Sequence, residues 1–321
     1  MIKSIQYLRG FAALLVVYYH STIKASQNGF SDAEVMYFGQ SGVDLFFIIS
    51  GFIICFVGDK KVFTVKSFIK ARIVRIIPLY WFFTLIALFA YLIVPSLVNS
   101  SGGETKIFDS IFLLPTQGKY LVQNGWTLSY EFYFYFIFSF FLFFKLNHVY
   151  IFFFLCAMPI AGVFSDTFFV FDSFLLEFAM GVVSYKIYTS VGDFWRCYFP
   201  MILVLIAITL ILDGRVLEYG LVMWGLFHLG LLLNKVIDKY ISKYRNMDMI
   251  LDFSGASSYS LYLSHAFSLV LLSKIYLMIF GAVNLYAYLF FLCVISYVVG
   301  GLVYKIVELP LTRNVDKIIG R

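Results

Sequence analysis

Residues 9–20 read RGFAALLVVYYH, an arginine and a histidine bracketing ten residues of an otherwise apolar helix. At 1.5 Å of rise per residue, eleven steps place His20 about 16 Å along the axis from Arg9, roughly half a hydrocarbon core. A cationic first turn suits a membrane surface. A histidine that deep has to face protein or a watery cavity, because ionisable groups within a membrane rarely face lipid.

The surrounding composition agrees with a membrane setting. Of 321 residues, 62% are hydrophobic and 13% charged, with a mean hydropathy of +0.90, which is too apolar for a soluble globular domain. The abundant Phe and Tyr suit bundle interiors and interfacial belts. Cys55, Cys156, Cys197 and Cys293 are scattered, without CxxC or close Cys/His spacing, so neither a metal site nor a disulfide framework is expected. A basic residue ahead of an apolar run also resembles a signal peptide. Arg9 and His20 lie inside the run, however, and no small-residue cleavage site follows, so the segment reads as a retained span.

Ten apolar runs are long enough to span, at roughly 5–24, 40–57, 76–98, 127–145, 149–165, 168–188, 198–213, 216–234, 257–280 and 284–307. The sequence therefore predicts an all-α, polytopic bundle of about ten transmembrane helices. With the N-terminus inside, nineteen of the 24 Lys and Arg fall on the cytoplasmic side, including Lys61, Arg72, Arg75, Arg196 and Arg321. Lys24, Lys106, Lys119 and Arg215 fall outside, and Lys274 lies within a span. This bias places both termini in the cytoplasm. It also accounts for the net charge of +6 without a nucleic-acid partner. Residues 1–321 read as a single membrane domain with no internal repeat and no attached soluble domain. In the longest outer loop, 99–126, the stretch IFDSIFLLP is expected to lie along the interface as a short helix, serving as a lid or a plain connector.

Topology says which polar clusters can meet. Asp44, in GQSGVDLFFIISGF (39–52), and Glu131, in NGWTLSYEFYFYF (124–136), both fall near the outer ends of their helices, and His20 lies in the outer half of its own. A histidine with a carboxylate partner is the usual general base at neutral pH, since the carboxylate fixes the tautomer and stabilises the imidazolium. The alternatives are a core histidine satisfied by packing and, for Glu131, a carboxylate stabilising a helix N-terminus. On the inner side, KARIVRIIP sets Arg72 and Arg75 on one helical face just before Pro78 is expected to start the third span. Paired guanidinium groups suit phosphate, although a juxtamembrane basic run also serves as a topology signal or lipid contact. Ser258, Tyr262 and His265 are spaced to share one face of the ninth helix, as a catalytic face or as packing glue. Glu177, read as mid-span, needs a partner or water. His228 and Lys274 read as structural.

These blocks together resemble the acyltransferase 3 family of integral membrane acyltransferases, which includes O-acetyltransferases of bacterial surface polysaccharides and exopolysaccharides. The resemblance rests on Arg9 to His20, Gly42-Val43-Asp44-Leu45-Phe46-Phe47, Ser50-Gly51-Phe52, and Arg72-Ile73-Val74-Arg75 with Pro78, Tyr80 and Trp81. It continues through Trp126-Thr127-Leu128 with Glu131, Glu177-Phe178 with Gly181, Ser258-Tyr259-Ser260-Leu261-Tyr262 with His265, and Glu308-Leu309-Pro310. It implies a ten-helix bundle, acyl-CoA as cytoplasmic donor and acylation of a sugar hydroxyl. The histidine matching His20 would be the base, and the arginines matching Arg9, Arg72 and Arg75 would be required. Two departures stand out. Phe132 occupies the position after Glu131 where many members carry a second carboxylate, and the chain stops at Arg321 without the hydrolase-like domain of some members.

The expected activity is transfer of acetyl from acetyl-CoA to a glycan or lipid-linked sugar at the outer face of a bacterial inner membrane. Arg72 and Arg75 would hold CoA phosphates, and Arg9 would help place the donor. His20, supported by Asp44 or Glu131, would take the hydroxyl proton. Tyr262 and His265 would orient the donor or stabilise the oxyanion. Membrane lipids and polysaccharide-assembly machinery are the other expected partners. The competing class is a proton-coupled transporter that uses His20, Glu131, Glu177 and His265 as a pathway.

Overall fold

The computed structural model describes residues 2–30, 33–60, 64–99, 102–164, 169–189, 199–212, 214–241 and 243–319. Lys61, Arg196, Cys197 and Arg321, and the expected span ends at 165, 168, 198 and 213, lie outside the described residues. In chain order the helices are α1 Lys3–Gln27, α2 Ser41–Lys60, α3 Val65–Ile93, α4 Pro95–Val98, α5 Ile107–Phe112, α6 Gly125–Phe143, α7 His148–Gly162 and α8 Phe174–Thr189. There follow α9 Phe199–Leu212, α10 Leu221–Leu232, α11 Asn234–Ile241, α12 Arg245–Ala256, α13 Ser258–Phe280, α14 Leu285–Val303 and α15 Leu309–Ile319. Single π-helical turns, Val216–Gly220 and Tyr304–Glu308, precede α10 and follow α14.

A helix lies under each of the ten expected runs, and no strand occurs among the described residues. Among the described residues four helical stretches are long and apolar enough to cross a membrane: Tyr37–Asp59, Val65–Ile93, Ser258–Phe280 and Leu285–Ile318. Val216–Leu232 with Asn234–Ile241, bent by 58°, would make a fifth. His148–Gly162 and Phe199–Leu212 are shorter apolar helices. The protein is an all-α membrane bundle.

Local chemistry moved several boundaries from their expected places. α3 starts at Val65 and runs through Pro78, so Arg72 and Arg75 lie on the helix itself rather than ahead of it. Pro78 has no N–H to give to the Val74 carbonyl; on the same turn Tyr259 donates its hydroxyl to the Ile76 carbonyl at 2.8 Å. α3 stops at Ile93 because Val94, which precedes Pro95, is pushed into extended backbone, φ −140°. Glu177 is not mid-span, since α8 begins at Phe174 and sets it in the first turn.

Contacts divide the chain into two units. The first comprises Met1–Arg9, Val43–Ile69 and Tyr130–Arg245, and the second Gly10–Gly42, Lys70–Ser129 and Asn246–Arg321.

In the first unit the crossing of α2 and α8 is set by two glycines. A Cβ on Gly51 would lie 2.3 Å from the Phe178 carbonyl oxygen, and one on Gly181 would lie 2.2 Å from that of Ile48. Only residues without a side chain let two backbones approach this closely. The two helices run parallel, with Asp44 meeting Glu177 at their first turns and Asp59 accepting the Tyr185 hydroxyl near their last. Around this crossing, Phe52 packs edge-on against Tyr185, Tyr188 and Phe227.

In the second unit α14 closes on α13 at Gly300, whose Cβ would come within 2.8 Å of the Leu261 Cα. Ser260 donates to Glu308 at 2.5 Å, joining two blocks that are 48 residues apart. The stretch IFDSIFLLP does form a short helix, α5, ended by Leu113 in the left-handed conformation, φ 53°. It is tied to α3, because the Tyr80 hydroxyl donates to Ser110 O at 2.5 Å and the Trp81 indole to Ile111 O at 2.9 Å. Phe108 and Phe112 point outward, ring against ring at 4.8 Å.

Candidate active site

The second unit brings His20, His265 and Tyr262 together. His20 sits on α1 and is half-buried. Its ring centroid lies 5.0 Å from that of His265 on α13, with the planes tilted by 35°. His265 is 1% exposed. One turn earlier, Tyr262 has its ring 5.8 Å from the His265 ring, as the three-residue spacing on one face requires. The Tyr262 hydroxyl and the Thr127 hydroxyl are 2.9 Å apart, and Asn124 Nδ2 donates to the Tyr262 carbonyl at 2.6 Å. Asn124 and Thr127 are the loop residue and first turn that open α6, so the NGWT block anchors the histidine-bearing helix. Ser258 does not join this group, because its hydroxyl donates to Gly255 O of the preceding turn at 2.8 Å.

The segment before α2 lies against α1 just ahead of His20. A Cβ on Gly39 would strike the Tyr19 Cβ at 2.7 Å, and one on Gly42 the Ala12 carbonyl at 2.3 Å. Thr22 Oγ1 accepts the Met36 N–H at 3.2 Å. On α3 of the same unit Arg72 is half-buried and Arg75 exposed. The loop leading to α6 is ordered through Tyr120, which donates to Leu114 O at 2.6 Å and lies 2.9 Å from Ser129 Oγ. Burial is the main cause that pushes this phenol above its ordinary value, with the Ser129 hydrogen bond opposing, so Tyr120 stays a neutral donor at physiological pH.

Both acids expected beside His20 have partners within the first unit. Asp44, fully buried, accepts from Arg215 Nη2 at 2.6 Å. Arg215 stands at the head of the π-helical turn, and its guanidinium also lies over the Phe174 ring, 5.4 Å to the centroid. Glu177, also fully buried, packs its carboxyl against that of Asp44, and neither Glu177 oxygen meets a donor in hydrogen-bond geometry. Glu131 accepts from Ser50 at 2.8 Å and from Tyr135. It lies beyond the first turn of α6, where the helix dipole no longer holds it. Arg9 is buried and donates to Gln6 at 3.4 Å. His228 Nε2 lies 3.0 Å from Ser184 Oγ, which also accepts from Trp224 at 2.8 Å.

Arg215 was missed from the sequence, where it reads as a lone outer-loop cation. A count of buried acids against nearby cations would have singled it out, since Asp44 and Glu177 both need one.

The sequence profile of the acyltransferase domain matches residues 2–305, which covers nearly the whole chain and every residue of this site. The chain belongs to the acyltransferase 3 family. A curated relative is the exopolysaccharide production protein ExoZ of Rhizobium meliloti (strain 1021), 36% identical over 102 residues, covering 29% of this chain and 31% of that protein. The chain thus matches under a third of the length of this relative. No solved structure matches the chain. Family and fold together make it a membrane acyltransferase.

Proposed function

We propose that this membrane acyltransferase moves an acetyl group from acetyl-CoA to a hydroxyl of a surface or lipid-linked glycan, at the outer side of a bacterial inner membrane. The observation that carries the reading is the His20–His265 ring pair within a chain of this family. The name of ExoZ, an exopolysaccharide production protein, supports an exopolysaccharide-type acceptor. In the reaction the acceptor oxygen loses its proton to a ring nitrogen of His20 and bonds to the thioester carbonyl carbon. The carbon–sulfur bond then breaks, and the departing thiolate takes that proton from His20. The sum is ester plus free CoA thiol, with no covalent acyl-enzyme.

Arg72 and Arg75, three residues apart on α3, are assigned to the CoA phosphates, which their planar forks fit. Arg9 is assigned to placing the donor. The test is binding of acetyl-CoA to the purified, detergent-solubilised protein beside an Arg72→Ala/Arg75→Ala variant. Saturable binding that the variant loses by about tenfold or more is the expected result, one charged contact being worth about 1.5–3 kcal/mol. Equal binding by both proteins would remove the arginines from the donor site.

A further inference from the structure

We propose that His265 is the positioning residue of His20. One of its ring nitrogens accepts the His20 N–H and so takes the place that a carboxylate holds in the usual acid/base pair. This rests on the general-base reading of His20 and goes beyond it, because the expected partners of that base were Asp44 and Glu131.

The distance between the rings is already right. A linear N–H···N bond of about 3 Å between two coplanar imidazoles also puts their centroids about 5 Å apart, and the observed separation is 5.0 Å. The planes are tilted by 35° and neither His265 nitrogen meets a partner, so the bond forms only once the rings rotate edge to edge. Catalytic hydrogen bonds are often loose before substrate binds and tighten in the complex.

His265 is also short of partners. The Leu261 and Tyr262 carbonyls of its own helix lie near the ring, but neither nitrogen meets a partner in hydrogen-bond geometry, and the Tyr262 carbonyl already accepts from Asn124. A buried polar group left unmet costs about 1–3 kcal/mol. Neutral imidazole has one donor and one acceptor. That leaves one lone pair to be met, and the His20 ring is the neighbouring titratable group, 5.0 Å away centroid to centroid. The Asn124–Tyr262–Thr127 contacts fix α13 one turn away, which holds His265 in place.

During transfer the acceptor proton enters and leaves His20 at one nitrogen, while His265 holds the N–H at the other. The pair gains no net proton.

The test uses the full chain in membrane vesicles that carry the cell's own glycan, with radiolabelled acetyl-CoA varied and incorporation into the glycan fraction measured. His265→Phe keeps the ring and its packing while removing both nitrogens. His265→Asn restores an acceptor, and His20→Ala/His265→Phe closes the cycle. The expected result is kcat lower by about 10²-fold in His265→Phe, the lower end of what a positioned base contributes, with KM for acetyl-CoA unchanged. His265→Asn should recover at least about tenfold of that loss. The double variant should be no slower than His20→Ala, since residues that act as one unit are not additive.

A raised KM with kcat intact would overturn the proposal and make His265 a donor-binding residue. Full activity in His265→Phe beside an inactive His20→Ala would overturn it while leaving the general base standing. Full activity in His20→Ala would instead remove the underlying reading. If His265→Phe does not fold, His265→Leu takes its place in the same cycle and is read against the same outcomes.

Discussion

Replacing Gly181 by alanine tests how the first unit is built. An alanine in a helix interior is ordinarily better than glycine by about 1 kcal/mol. Here the added Cβ would lie 2.2 Å from the Ile48 carbonyl oxygen, 2.7 Å from the Phe52 backbone nitrogen and 2.8 Å from the Gly51 Cα. Ordinary contact begins near 3.4 Å, so the overlap exceeds 1 Å against backbone, which cannot swing aside as a side chain does. α2 and α8 must separate, and overpacking of this kind costs about 1–3 kcal/mol. Overpacking outweighs the gain in propensity, and the net effect is destabilisation. Gly225, within α10, has nothing within 4 Å of its would-be Cβ, so Gly225→Ala keeps the propensity term alone and should stabilise. Thermal unfolding of both detergent-solubilised variants, followed by tryptophan fluorescence, should move the midpoint down for Gly181→Ala and up for Gly225→Ala. A Gly181→Ala protein as stable as Gly225→Ala would refute the close crossing.

Two further substitutions probe other contacts. Arg215→Ala should destabilise by about 3–5 kcal/mol, because it strands the buried Asp44 carboxylate. Glu177→Gln should stay within about 1 kcal/mol, since no donor bond to its oxygens is lost; the same thermal assay compares them, and equal losses would contradict the Asp44–Arg215 assignment. Tyr80→Phe removes the hydroxyl held by Ser110 O and should cost about 1 kcal/mol. Limited proteolysis of the loop carrying α5 should become faster, and an unchanged cleavage rate would show that this tie does not hold the loop.

Much of the architecture was legible because membrane spans advertise themselves. Each of the ten apolar runs carries a helix, and among the described residues four helical stretches, or five with the bent pair, are long and apolar enough to cross a membrane. Boundaries were less legible where a single residue acts against its reputation. Pro78 sits inside α3, whereas Pro95 ends the same helix. Glu177 looked mid-span because FLLEFAMG is apolar on both sides, and only the true start of α8 at Phe174 sets it in a first turn.

The site divided along a similar line. The Tyr262–His265 face was readable from spacing, because neighbours on one helix are fixed by its period. Partners across helices were not. Asp44 and Arg215 are 171 residues apart, and no local pattern joins His20 to His265. Within the first unit Asp44 accepts from Arg215 and Glu131 from Ser50 and Tyr135, partners that shared depth along the bundle does not name.

The central claim is that His20 carries out acyl transfer, and His20→Ala tests it most directly when donor binding and transfer are measured on the same preparation. Incorporation of labelled acetyl into glycan should fall by about 10²-fold or more, the contribution of a positioned general base, while acetyl-CoA binding stays at the wild-type level. Transfer at the wild-type rate by the His20→Ala protein would contradict the claim.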